Sequence, residues 1–428
     1  MTTILGDKAF AFLLCNFKDS ANPKPFTLAQ AEAGLDTIRQ FWRETSYGAC
    51  SLNGTTLNDW TTLPITNSAF IATYTTRWDM IQYAIDQSGI DRSKYVGFIV
   101  IFSDAVGTAW TEGNGAIFEP TICRTALICH EMTHILGEPT HSFDFTTRQT
   151  DTWAAPGEYW DQTDVMSAGN CWSTPTSATD PFAGHGPQHC MMWKDQFGWL
   201  RGGRAFRISN SDLERPYNLN VRLLKRQQPV PNSGLGYKAI FFRDMSIEFA
   251  TQEGFDAGLQ GSGVIIHQRA ESGGQPYVLV PDLTGNPDQK FWGSGDVCVR
   301  EAVGLDAGDD YYIWVREINL TEGYAEINVA NGVVPPFARV QIRAVRKGYS
   351  RQLRHTYIDS VGVADPSAPN GLAAIPRMTV VDWIEKGRNT FFVQGADGVV
   401  AEVVVERHWI KTVSDGSTAN NLYSLPEF

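Results

Sequence analysis

The chain has 428 residues, and 47 acidic against 35 basic side chains give it a formal charge of −12. Two or three domains are expected at that length, and 43% hydrophobic with 12% aromatic residues exclude a disordered chain, which lacks the apolar surface to fold. Scattered basic residues on an acidic background argue against a nucleic-acid partner, and the longest apolar run, Tyr95 to Phe102, falls far short of the roughly 20 residues of a membrane-spanning helix.

In chain order, an apolar strand is expected from Ala9 to Cys15. An amphipathic helix follows over Thr27 to Tyr47, with Leu28, Leu35, Ile38, Phe41 and Trp42 on one stripe and Gly48 as its stop. A second helix over Thr76 to Gln87, with Trp78, Ile81, Ala84 and Ile85 on one side, ends at Gly89 and leads into a strand from Tyr95 to Ser103. This alternation is that of an α/β (α+β) domain, assigned to residues 1–200. A glycine-rich stretch, Gly107 to Gly115, then precedes a helix running from near Pro120 to Gly137.

From about Arg201 helical periodicity gives way to short β runs: Tyr237 to Phe242, Ser246 to Ala250, Gly263 to Arg269, Tyr311 to Glu317 and Tyr324 to Val329. Turn residues separate them, so an all-β, sandwich-like domain is expected over 201–334. Pro335-Pro336 marks a boundary, beyond which Ala338 to Val345, Met378 to Trp383, Thr390 to Gln394 and Val399 to Trp409 read as a small β domain over 337–428. The loose basic group Arg343, Arg346, Lys347, Arg351 and Arg354 reads as a solvated strand face. No basic leader with an apolar segment and cleavage site opens the sequence. Seven cysteines form neither a metal knuckle nor a disulfide framework; Cys171 and Cys190 bracket a loop either as a disulfide or as two buried thiols.

Residues 130 to 141 read HEMTHILGEPTH. His130 and His134, one helical turn apart, leave the same face of a helix and are placed to bind one Zn2+, with Glu131 beside them toward the metal's open position. Gly137 permits the sharp turn off the helix that brings in a third ligand, and His141 is the nearest candidate for it. Three imidazoles and a water make the open tetrahedral site of a catalytic zinc, in which Glu131 takes the water's proton and returns it to the leaving amine.

HEMTHILG with a following histidine, and then Asp164-Val165-Met166-Ser167, resembles the metzincin zinc peptidases, whose consensus is HExxHxxGxxH with a later methionine turn. The resemblance extends toward the gametolysin and immune inhibitor A type through FWRETSYGACSLNG at 41–54, DWTTLP at 59–64, DQFGWL at 195–200 and SIEFATQEGFDAGLQGSGVIIHQR at 246–269. It spans roughly the first 330 residues and implies a metzincin-like catalytic domain, a zinc-dependent endopeptidase acting on protein or peptide substrates, and export from the cell. Position eleven of the motif is Thr140, with the histidine one residue later; Asp144 is the alternative third ligand, since acidic residues serve in some relatives. Met166 is implied as a hydrophobic base under the ligands. Ala168 stands where some metzincins carry an oxyanion-stabilising tyrosine, and Tyr159 is the candidate substitute.

Gly107 to Ala116 is in the position of the edge strand that such peptidases use to hold substrate, or is a surface loop. His185 and His189, with Gly186 and Pro187 between them, are expected to be supporting or surface histidines. The runs Leu305 to Asp310 and Pro281 to Asp288 are turns or weak Ca2+ candidates. A second function class stays open: a binding or toxin-like protein whose β domains recognise a glycan or receptor, with a vestigial or structural zinc domain.

Overall fold

The strand β1 (Phe10–Phe17, FAFLLCNF) is buried along its whole length. It lies inside a five-stranded sheet of order β2-β1-β3-β5-β4, with β2 at Thr56–Leu63, β3 at Gly97–Phe102, β4 at Trp110–Glu112 and β5 at Gly115–Phe118. All neighbours are parallel except β4 against β5. Because side chains alternate across a strand, Phe10, Phe12 and Leu14 feed one core and Ala11, Leu13 and Cys15 another. The first core is closed by α1 (Leu28–Thr45) and α3 (Thr125–Ile135), the second by α2 (Arg77–Ser88).

Local chemistry sets these limits. Thr27 and Gln30 form a reciprocal capping box at the start of α1. Thr76 caps α2, which Gly89 ends in the left-handed conformation. The helix α3 begins at Thr125 and not near Pro120: its first N–H groups, of Thr125 and Ala126, are already taken by the carbonyls of Phe182 and Gly184, at 3.3 and 3.0 Å. A short helix, α4 (Met191–Gln196), closes this unit. All seven cysteines are buried, and Cys171 and Cys190 are thiols with no bridge between them.

The computed structural model describes residues 3–138, 140–175, 180, 182–208, 218–228, 236–270, 274–280, 287–294, 296–300, 311–331, 338–350, 355–364, 372–385, 389–394, 399–406, 409–413 and 421–427. Pro335-Pro336, the run Leu305 to Asp310, residues 281–286, Arg351 and Arg354 lie outside them. Among the described residues no helix is long and apolar enough to cross a membrane.

Phe143–Asp144 form β6, and the second unit adds β7 (Ala205–Ile208), β8 (Asn218–Leu224), β9 (Ala239–Phe242), β10 (Met245–Ala250), β11 (Gly263–Arg269), β12 (Pro276–Leu279), β13 (Val297–Arg300), β14 (Tyr311–Asn319) and β15 (Tyr324–Asn331). They make two sheets, β6-β12-β11-β10-β9-β7 and β8-β15-β14-β13. One core joins them, with Ile247, Phe249, Val264 and Ile266 from the first and Ile313, Val315, Ile327 and Val329 from the second. A strand from the first 200 residues thus belongs to the sheet of the second unit: β6 pairs in parallel with β12, Phe143 opposite Tyr277 and Asp144 opposite Val278. The two units also approach at Gly186, where a Cβ would stand 1.5 Å from the Phe255 carbonyl oxygen.

The third unit holds β16 (Ala338–Gln341), β17 (Ala344–Ser350), β18 (His355–Ala364), β19 (Leu372–Pro376), α5 (Arg377–Glu385), β20 (Asn389–Gln394), β21 (Val400–Glu406) and β22 (Trp409–Thr412), around a core of its own. Met378 to Trp383, expected as a strand, is helical. Buried Val380 and Val381 and partly buried Trp383 and Ile384 face that core from successive turns, and their burial overrides β-branched propensity. The chain as a whole is mixed, an α+β unit followed by sheet-rich units.

The edge strand β6 is pinned by charge: Asp144 accepts from Lys290 Nζ at 2.9 Å, with the lysine side chain fully buried, and from Arg148. Lys290→Met should lower stability to denaturant by about 3 kcal/mol, the low end for a broken buried pair because Arg148 remains. Unchanged unfolding would show that this pair does not hold β6 in place.

Candidate metal centre

The helix α3 carries His130 and His134 on one face, and the chain leaves it at Gly137, whose φ is +108° and whose N–H donates to the His134 carbonyl at 2.9 Å. The turn returns His141 to the same point. Each imidazole is anchored through Nδ1: His130 to the Val165 carbonyl at 3.1 Å, His134 to the Glu138 carbonyl at 2.5 Å and His141 to Glu158 Oε1 at 2.6 Å. A carbonyl oxygen only accepts, and a carboxylate does the same, so the ring proton sits on Nδ1 and each Nε2 is a bare lone pair.

Those lone pairs face one another. The Nε2 of His134 is 3.0 Å from that of His130 and 3.2 Å from that of His141. Two unprotonated nitrogens repel at that distance, unless a cation lies between them. Tetrahedral zinc, at roughly 2.0–2.1 Å from each nitrogen, sets its ligands about 3.3 Å apart, close to the spacing seen. The donor set therefore fits a zinc ion held by His130, His134 and His141. Burial, reinforced by the neighbouring histidines, favours the neutral ligand form: it pushes His130 well below the usual histidine value and His141 down to about 4.

Glu131 lies beside the triad, its Oε1 3.9 Å from His130 Nε2. Its Oε2 accepts from the backbone N–H of Thr111 at 2.9 Å and from the Thr111 hydroxyl. Burial raises the carboxyl's affinity for a proton, and His134 and Thr111 only partly offset it. Tyr159 brings its hydroxyl within 3.2 Å of His141 Nε2. Met166 is fully buried in the core that carries α3. The stretch from Gly107 resolves into the edge strand β4, and its Thr111 turns its N–H to Glu131 and its carbonyl to Arg77 Nη1, at 3.1 Å. A cavity of about 830 Å3 opens over these groups, lined by Arg77, Trp110, Glu131, Trp153, Tyr159 and Asn170 among others.

Asp144 is not a ligand here: its carboxylate is spent on Lys290, Arg148 and Thr146, at the end of β6. His189 is buried and braces α3 against α1 through Thr133 at 3.0 Å and Thr45 at 3.2 Å; His185 is half-buried. No local signal marks Thr111, Glu158 or the carbonyls of Glu138 and Val165, since backbone oxygens have no residue type and the other two lie far along the chain from the motif.

A second close group, Cys190, Glu248 and His267, is wholly buried. Both Glu248 oxygens already accept, from Met191 N–H and from Arg226 Nη1, each at 3.0 Å, and His267 Nε2 lies 2.8 Å from Asp161. With a guanidinium inside it, the group reads as an ion-pair cluster. Burial opposes charge on His267, but Asp161 and Glu248 outweigh it and hold the imidazolium up to about 10. A raised value means stability present in full below the ordinary 6.5 and lost as pH rises toward 10. Lys194 and Lys238, which burial holds down to about 7, act in the opposite sense over part of that range. The difference between wild type and His267→Gln isolates the histidine: in thermal unfolding at stepped pH the gap should be widest below 6.5 and close toward 10. A gap independent of pH would show that His267 is neutral in the fold.

Residues 341–426, in the third unit, match a protein family described only as of unknown function, DUF3892. No curated protein matches the chain.

Proposed function

We propose that this protein is a zinc-dependent endopeptidase, with a metzincin-like catalytic unit backed by sandwich-like sheets. The observation that carries the reading is the convergence of three Nδ1-anchored imidazoles, Nε2 to Nε2 at 3.0 and 3.2 Å, beside a buried glutamate on the floor of an open cleft. When bound, zinc supplies a Lewis acid that sharpens the acidity of water and the polarity of a carbonyl.

The protein's own groups do the rest. Glu131, through its free Oε1, accepts the proton of the attacking water and delivers it to the leaving amine. The Tyr159 hydroxyl, poised at the same face of the triad, donates to the oxygen that gains charge as the carbonyl becomes tetrahedral. An extended peptide fits the rim at β4, where its backbone competes with Glu131 and Arg77 for the N–H and carbonyl of Thr111. Solvent-exposed Trp110 and Trp153, at 39% and 68% exposure, flank the cleft with apolar surface for the peptide's side chains.

Two measurements test this. Glu131→Gln should keep one zinc per chain by metal analysis while cleavage of an unfolded protein such as casein falls by about 10²–10⁴-fold; full turnover in that variant removes the mechanism. Tyr159→Phe should reduce kcat by about 10²-fold with KM little changed, and an unaltered kcat would leave the tyrosine with packing alone.

A further inference from the structure

The segment that supports the ligands has little regular structure of its own. Residues 161–167 run through turns into a 3-10 stretch that starts at Val165, yet they supply the carbonyl that orients His130 and the buried Met166 of the core that carries α3. With no α-helix or strand to fix such a segment, side chains must do so. Asp161 carries most of the task. Its carboxylate accepts from the Thr163 N–H at 3.1 Å and hydroxyl at 2.6 Å, and its carbonyl accepts from the Ser167 hydroxyl and the Asp164 N–H. Asp164 in turn accepts from Met166 N–H at 2.9 Å and from the hydroxyl of Ser142, the neighbour of His141, at 2.8 Å.

This network is held from the second unit. On β11, His267 reaches Asp161 at 2.8 Å. Arg226, just past β8, donates to the Thr163 carbonyl at 3.0 Å while Asp256 and Glu248 hold its guanidinium. All five of these charged side chains are completely buried.

We infer that His267, seconded by Arg226, is a positioning residue for the metal centre: by fixing Asp161 it sets where the Val165 carbonyl meets His130. The second unit is then part of the centre and not an appended module. For the identity of the ion this rests on the zinc reading above.

Two variants of the full chain separate positioning from packing. His267→Gln places an amide nitrogen about where Nε2 stands and keeps the donor to Asp161. His267→Asn is shorter: its amide nitrogen falls near Nδ1, which stands 3.3 Å from Glu248 Oε1, and it loses Asp161. Both lose the imidazolium, so both lower the unfolding temperature. Zinc affinity by chelator competition and the visible absorption of the cobalt-substituted protein read the centre without turnover. His267→Asn should bind zinc about tenfold more weakly and shift the cobalt band, while His267→Gln stays within about twofold of wild type. Equal effects in the two variants, or none in either, overturn the positioning role while leaving the zinc reading intact. A wild-type chain that binds no zinc overturns both. Should His267→Asn not fold, Thr163→Val, which takes only a hydroxyl from Asp161, is expected to weaken zinc binding in the same direction, and unchanged affinity there overturns the inference.

Discussion

Three imidazole nitrogens that carry no proton do not attract one another, and the fold nonetheless brings them within 3.0 and 3.2 Å. Their approach is imposed from behind. Each ring is fixed by what its Nδ1 donates to, and the three acceptors come from three places: the turn after α3, the loop that carries Glu158, and the 3-10 turn at Val165. That requirement organises the surrounding structure, because an acceptor that moves takes a ligand with it.

The strand β6 shows what this demands. The chain leaves His141 and two residues later is locked into a sheet of another unit, with Asp144 tied to Lys290 and Arg148. Backbone bonds from Tyr159 N–H to the Ser142 carbonyl and from Asp144 N–H to the Gly157 carbonyl then draw the Glu158 loop alongside, so that its carboxylate meets His141. His141, its anchor and the Tyr159 hydroxyl are therefore placed by one ladder. An aspartate so engaged cannot also be a ligand, which is why spacing alone left Asp144 open as an alternative and the contacts close it.

What the sequence made legible follows from locality. His130, Glu131 and His134 share one helical turn, so their common face could be read from i, i+4 spacing; β1, α1 and α2 announced themselves by apolar period and by Thr and Gly at their ends. The start of α3 departs from its local signal because its cap comes from Phe182 and Gly184, some 57 residues away, and no local residue encodes that. Met378 to Trp383 departs for the complementary reason: its apolar residues suit a strand, and only the core they meet decides for a helix. The supports of the site, Thr111, Glu158, Asp161 and His267, were illegible because a hydrogen bond across tens or hundreds of residues leaves no period in the sequence.

The junction between the first two units uses buried charge where apolar packing would serve stability at least as well. Well-packed hydrophobic side chains often equal or exceed a buried ion pair in free energy, but hydrophobic contact is nondirectional and tolerates sliding. Arg226 offers fixed N–H directions to Thr163, Asp256 and Glu248, and His267 offers one to Asp161, so the interface has a single register. A junction whose task is to fix the height of one carbonyl beneath one imidazole needs that register more than it needs the extra stability. Burial makes it exacting in return: with every partner desolvated, a displaced member leaves an unpaired charge, and the arrangement holds as a whole or not at all.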